Sequence, residues 1–399
     1  MQHLKTQLDK ELILKAIRSC LPADRKSIEL HEPLFCGNEW NYVKECLDTN
    51  WVSSVGKFVD VFEQKLAEFT GVKRAFAVVN GTAALHISLK MAGVDAEDEV
   101  LVPDLTFVAT ANAVTYCGAI PHFVDCEPVS LGVDAVALEK YLNASAQLRG
   151  GDCYNRLSGR KIKVLIAMHA FGHPSDVDAL LGVCRKFNIT LIEDAAEALG
   201  SYYKNKHVGN SGKFSILSFN GNKTITTGGG GAILTNDAVL GLRAKHIATT
   251  AKLPHPFLFF HDQIGYNYRM PNINAALGVA QLEKLHFFLE RKRELAMHYK
   301  TALSGLSGVR FLDEPSYAKS NFWLNAILLE PGLRQDRDAL LDYLRNDGIK
   351  ARPAWTLMHK LPMFAGCPRA EVPAAEDIES RLISIPSSAF LVSDPEIRG

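Results

Sequence analysis

Between residues 75 and 235 short apolar runs alternate with stretches of helical periodicity, and this alternation restricts the fold more than any other feature. Ala75–Val79, Val100–Val102, Ile120–Val124, Lys163–Met168, Ile189–Ile192, Phe214–Phe219 and Ala232–Thr235 read as strands. Gly81–Met91 and Thr106–Tyr116 read as helices among them. Strands that alternate with helices predict an α/β unit with a mixed, mostly parallel sheet. Ligands of such sheets sit at the carboxyl ends of the strands. The polar residues expected there are Asn80-Gly81-Thr82, Asp104 to Phe107, His169, Asp194 and Ser218.

At 399 residues the chain is too long for one small core. Its texture changes after about residue 250. Leu253-Pro254-His255-Pro256-Phe257 reads as a loop, 272–303 as one long helix, Phe322–Leu329 as a strand and 335–347 as a helix. Residues 57–70 place Phe58, Val61, Phe62, Leu66 and Phe69 at helical spacing, with Gly71 as the stop. Residues 1–20 space Leu4, Leu8, Leu12 and Ala16 among charges, as an amphipathic helix rather than the apolar core of a signal peptide. The expected division is a helical extension over 1–29, a large domain over 30–255 and a smaller C-terminal α/β domain over 256–399.

Lys plus Arg and Asp plus Glu are both 44, so no broad field favours nucleic acid or an anionic membrane. No apolar run approaches the ~20 residues of a membrane span. The eight cysteines form no Cys-x-x-Cys pair and most read as core thiols, which suits a reducing cytoplasm. His169, His173 and Asp176 read as loop residues, and no metal site is expected. Gly228 to Gly231 is not a dinucleotide fingerprint, because Ile stands at 233.

The chemistry points to Asp194 and Lys223. Asp194 closes the apolar run Thr190-Leu191-Ile192, and Lys223 follows 29 residues later (223 − 194), between a polar turn and a Gly-rich return. An amine for a Schiff base and a carboxylate for a pyridine nitrogen are what pyridoxal phosphate requires. An ionised Asp raises that nitrogen's pKa by ~1–3 units. Asp194 could instead cap a helix. Gly81 and Thr82 open a helix whose N–H groups suit a phosphate, or serve as an ordinary cap. Ser218 is a second phosphate candidate. Phe107 could stack on a flat ring or belong to the core. Glu197 could share a helical face with Asp194, near the cofactor or only supporting the first turn.

Taken together the motifs resemble the DegT/DnrJ/EryC1/StrS family of sugar aminotransferases, which have the pyridoxal-phosphate-dependent transferase type I (aspartate aminotransferase-like) fold. The resemblance runs from about residue 28 to the C-terminus. It rests on Thr49 to Ser54, Asn80 to Leu85, Thr106 to Thr110, Phe123-Val124-Asp125, Glu193 to Gly200, Ser218 to Lys223, Gly265 to Met270 and Ile385 to Ser388. It implies Lys223 as the Schiff-base lysine, Asp194 on the pyridine nitrogen and Phe107 on the ring. It places Gly81, Thr82 and Ser218 on the phosphate. It also implies a homodimer, with Asn267 reaching the neighbouring subunit's phosphate.

Two positions depart from the commonest pattern: Glu197 stands where Gln or His is frequent, and Gly229 where Glu often interrupts the glycines. Both variants, with Thr249 to Pro256 and Arg352 to Met358, resemble the aminotransferases of legionaminic-acid and bacillosamine-type synthesis. The implied reaction moves an amino group from L-glutamate to C4 of a nucleotide-linked 4-keto-6-deoxy (N-acetyl)hexosamine, for a surface glycan such as lipopolysaccharide. One rival is a sugar dehydratase of the same family, whose members can hold His in place of the lysine. Another is a cofactor-binding regulator, for which residues 1–29 are too short to supply a DNA-binding domain.

Overall fold

A computed structural model describes residues 8–392. Leu4 and the rest of 1–7, and the end of the chain from 393, lie outside the described residues. The central sheet has seven strands: β1 (Arg74–Val78), β2 (Glu99–Pro103), β3 (Ile120–Val124), β4 (Ile162–Met168), β5 (Thr190–Asp194), β6 (Phe214–Ser218) and β7 (Gly231–Thr235). Their order is β1-β7-β6-β5-β4-β2-β3. Only β7 runs against its neighbours, β1 and β6; the other pairings are parallel. The sheet is thus mixed and mostly parallel, and each strand falls within two residues of the range expected from the apolar runs.

Period-two alternation sends side chains to both faces of the sheet. On β4, Val164 and Ile166 join one core cluster, and Leu165 and Ala167 join another. Helices cover both faces, so the strands are apolar on each side. The numbered helices begin with α1 (Lys10–Ser19), α2 (Glu39–Asp48), α3 (Lys57–Thr70), α4 (Gly81–Met91), α5 (Val108–Tyr116), α6 (Ala135–Ser145), α7 (Val177–Phe187) and α8 (Ala238–Ala248). α4 lies inside the molecule: Ala84, Leu85, Ile87 and Leu89 are all buried. α3 ends as expected at Gly71, which takes the left-handed conformation at φ 73°.

Residues 272–303 form two helices instead of one, α9 (Asn272–Glu283) and α10 (Leu285–Leu303), broken at Lys284 (φ −102°, ψ 0°). α9 joins Phe62 and Leu217 in the core beside the central sheet. The later turns of α10 join a different core, with Leu295, Tyr299 and Leu303. That second core is built on an antiparallel sheet of β8 (Val309–Phe311), β9 (Asn325–Leu329), β10 (Arg352–Pro353) and β11 (Leu382–Ile385), in the order β8-β9-β11-β10. The expected strand from Phe322 starts three residues late, because Phe322 itself sits at φ 47°, outside the extended region. α11 (Arg337–Asn346) and α12 (Pro373–Arg381) complete the set.

α1 is capped by Asp9, whose Oδ1 accepts from Leu12 N at 2.9 Å. Its buried face differs from the expected one. Ile13 and Ile17 are buried with Leu8, whereas Leu12 is 48% exposed. These residues share the core of the C-terminal sheet with Tyr299, Ile327, Leu344 and Ile385.

Candidate active site

The carboxyl ends of β1, β4, β5 and β6 open onto a cavity of about 820 Å³. Its wall includes Asn80, Gly81, Thr82, Phe107, Asp194, Glu197, Ser218 and Lys223, gathered from turns far apart in sequence. A cavity of this size falls in the ~300–1,000 Å³ range of small-molecule sites.

The floor nearest β1 is the start of α4. Asn80 is extended, and its side chain accepts from Ala83 N at 2.7 Å, so a single residue closes the cap. Gly81 follows, and a Cβ there would lie 3.1 Å from the Ser218 Cβ. β7 approaches still more closely: a Cβ on Gly231 would sit 2.4 Å from the Asn80 carbonyl carbon. Glycine at 81 and 231 therefore lets the α4 N-terminus rest against the ends of β6 and β7. The Thr82 and Ser218 hydroxyls have no protein partner among the described residues. With the free N–H groups of the helix start they form a set of donors suited to a phosphate.

Asp194 ends β5. Its Oδ2 accepts from the Thr110 hydroxyl at 2.8 Å and its Oδ1 from Ala196 N at 3.2 Å. Burial pushes this carboxyl up, opposed by the Thr110 and Ala196 hydrogen bonds and the Lys223 charge. A cationic partner such as a pyridinium would bring it back toward the ionised form. No helix follows Asp194: residues 195–200 form turns, so Glu197 reaches the site from a loop rather than along a helical face.

Lys223 lies in the turn after β6, with its N–H on Asn220 O at 3.0 Å. Its side chain is 13% exposed, and Nζ is 3.2 Å from Glu197 Oε1. It also stands 3.8 Å from the centre of the Trp323 ring, whose indole N–H donates to Asn222 O at 2.7 Å. Glu197 is fully enclosed. Burial pushes its carboxyl up to about 7, against the pull of Lys223 and the Phe171 N–H. Phe107, the residue before α5, is extended and half exposed at the cavity wall. α5 accordingly starts at Val108 and not at the expected Thr106.

Asn267 does not line this cavity; it is exposed, with its Oδ1 accepting from Arg269 Nε at 3.0 Å. Several cavity residues were not singled out from the sequence: Trp323 from the C-terminal part, Phe171 from the loop after β4 and His31 from the segment before α2; Trp355, within the Arg352 to Met358 stretch, also lines the cavity. Phe171 and Trp355 stack at 4.8 Å between centroids. Asn321 ties the site loops together, donating to Glu197 O and Leu199 O at 2.9 Å each. Among the described residues no group of three or more His, Cys, Asp or Glu could hold a metal ion, and no helix is long and apolar enough to cross a membrane.

A primary amine, a buried carboxylate, an aromatic ring at the wall and a phosphate cradle fit pyridoxal phosphate. Comparison with known proteins agrees. Residues 36–396 match the DegT/DnrJ/EryC1/StrS aminotransferase family. GDP-perosamine synthase of Escherichia coli O157:H7 is 39% identical over 372 residues, covering 93% of this chain and 96% of that protein. EpsN of Bacillus subtilis (strain 168), provisionally named a pyridoxal phosphate-dependent aminotransferase, is 37% identical over 377 residues, 94% of each chain. Among solved structures, PseC of Helicobacter pylori, an aminotransferase involved in the biosynthesis of pseudoaminic acid, aligns with a TM-score of 0.83 at 28% identity. The alignment covers 93% of this chain and 96% of that one. Sequence, fold and cavity chemistry thus agree that the chain belongs to the DegT/DnrJ/EryC1/StrS aminotransferase family, as a pyridoxal phosphate-dependent sugar aminotransferase with the type I fold.

Proposed function

We propose that the enzyme takes the amino group of L-glutamate and delivers it to C4 of a nucleotide-linked 4-keto-6-deoxy hexose bearing an N-acetyl group, in legionaminic-acid or bacillosamine-type synthesis. The observation that carries this reading is the Lys223 amine on the cavity wall, 3.2 Å from Glu197 and in the same cavity as Asp194. The cofactor, when bound, supplies an aldehyde that exchanges an amino group and a ring that stores an electron pair. Lys223 is its covalent attachment point and, when free, the base that moves the proton at the reacting carbon. Asp194 holds the positive charge on the ring nitrogen. Gly81, Thr82 and Ser218 hold the phosphate, and Phe107 covers the ring face.

The partner subunit completes the site in this reading, with Asn267 reaching across a homodimer. Phe257, Phe259 and Ile264, on the segment before Asn267, are each more than 80% exposed. Large apolar side chains this exposed suit a subunit interface. We also propose that residues 30–255 act as the cofactor-binding domain and 256–399, apart from α9 beside the central sheet, as the smaller domain, with residues 8–29 of the 1–29 extension packed on its core.

The test is a panel of 4-keto nucleotide sugars, with UDP and GDP as separate arms, offered with glutamate. GDP belongs in it because relatives at 39% and 38% identity are named GDP-perosamine synthase. The expected product is an amino sugar whose new nitrogen is located at C4 by NMR, together with 2-oxoglutarate. Release of water without 2-oxoglutarate would identify a dehydratase instead. Lys223→Ala should lose both turnover and the absorbance band of the lysine-linked cofactor; a fully active variant rules the reading out.

A further inference from the structure

Glu197 is built into the site more firmly than a cofactor contact requires. Its two carboxylate oxygens have different partners. Oε2 accepts from the Phe171 N–H at 2.9 Å, and Oε1 receives Lys223 Nζ at 3.2 Å. Its backbone carbonyl is held by Asn321 Nδ2 at 2.9 Å. Phe171, whose N–H meets Oε2, itself adopts φ 55°, ψ 11°, a left-handed conformation that bulky residues rarely take. The next residue, Gly172, has φ 95°, and its carbonyl accepts from the Ser201 and Ser320 hydroxyls at 2.7 and 3.0 Å. The Phe171 ring is pinned against Trp355. Strained backbone on one side thus fixes one carboxylate oxygen and leaves the other facing the reactive amine.

We propose that Glu197 is a second acid–base residue of the reaction, exchanging a proton with Lys223. In the forward direction an Nζ–H bond of the Lys223 ammonium breaks and its electron pair stays on nitrogen. An Oε1–H bond forms, and a buried ion pair becomes a neutral acid and a neutral amine. The neutral amine is the nucleophile and base that transamination needs. When Lys223 has collected a proton from substrate, the exchange repeats and Glu197 holds it. A low-dielectric enclosure favours the protonated, neutral form of the Glu197 carboxyl, because burial penalises its charge. The charged and titratable groups facing Glu197 are Lys223 and Asp194, and the Phe171 N–H adds a dipole. Burial raises the carboxyl to about 7, where it can gain and lose a proton at neutral pH. Glutamine at this position could hydrogen-bond Lys223 but could not exchange a proton with it.

The proposal rests on the aminotransferase chemistry of Lys223, not on the identity of the sugar. The experiment therefore uses the holoenzyme and the amino-donor half-reaction alone, followed by the cofactor's absorbance between roughly pH 5 and 9. In the wild type the rate should show a limb near pH 7. In Glu197→Gln that limb should disappear, with the neutral-pH rate reduced by about 100-fold. Glu197→Asp should restore part of the limb. The absorbance titration of the resting holoenzyme needs no donor, and in Glu197→Gln it should shift by about one pH unit or more. An unchanged titration, or a slower half-reaction with the wild-type pH profile, overturns the proposal and leaves Glu197 a positioning residue. A holoenzyme that completes the half-reaction but aminates no sugar refutes the substrate reading and leaves this one standing.

Discussion

Lys292 lies buried in α10 and donates to three groups: His31 Nε2 at 2.9 Å, Trp323 O at 3.1 Å and Ser387 O at 2.5 Å. No carboxylate balances it among the described residues, and burial pushes its amine well below the usual lysine range. Its hydrogen bonds join the segment before α2, the Trp323 turn and the end of β11 behind the cavity wall. Lys292→Met should strand all three acceptors. On the scale of leaving a buried acceptor unsatisfied, that costs about 1–3 kcal/mol per group. Urea denaturation measures it, and an unmoved midpoint would show that the amine contributes nothing. The cavity's chemical residues were legible in the sequence to the extent that they close strands. Asp194 and Ser218 end β5 and β6, and Lys223 lies in the next turn, so local order made them candidates, and the shared order of several motifs selected them. Trp323, Phe171 and His31 were not legible. Each belongs to the site through a contact with a segment remote in the chain, and nothing in its own neighbourhood distinguishes it from core.

Among the elements, the close approach of β7 to the start of α4 is the most constrained. Gly231 faces the Asn80 carbonyl and Gly81 N, all within 2.6 Å of where a Cβ would stand. Gly231→Ala should therefore push the helix start away from the strand ends, at a cost of about 1–3 kcal/mol in overpacking. The expected result is a protein with normal far-UV circular dichroism that releases its cofactor on dialysis. Retention equal to the wild type would show that the α4 start tolerates the shift. The break between α9 and α10 was hidden for a different reason. Apolar periodicity runs through Lys284 without glycine or proline, so nothing local announces the change. It is imposed by packing, since the two helices serve two different cores. The face of α1 was misread at Leu12, which follows Leu8 at a spacing as regular as that of Ile13 and Ile17, and only the partner surface decides between them.

For the molecule as a whole, the shared-site reading makes a prediction that no single subunit can satisfy. Lys223→Ala should be inactive, and Asn267→Ala should be impaired in the site of its neighbour. Mixed and allowed to exchange subunits, the two should recover activity, because each heterodimer then contains one intact site. No recovery in mixtures shown by mass spectrometry to contain heterodimers would mean that each site is made by one chain.

The seat of α1 has a consequence for how the molecule is made. Ile13, Ile17 and Ile28 are buried against residues drawn from between Leu295 and Val392. On the ribosome the first helix therefore emerges with none of its partners yet in existence. Its apolar face must stay wet, or be shielded by another protein, until translation has passed Leu295 and the residues that follow it in that core. The central sheet, whose strands all lie between Arg74 and Thr235, can pair much earlier. Long-range closure of this kind is slow and leaves apolar surface open to aggregation while it waits. Synthesis and burial are separated here: α1 is translated well before the residues that cover its apolar face.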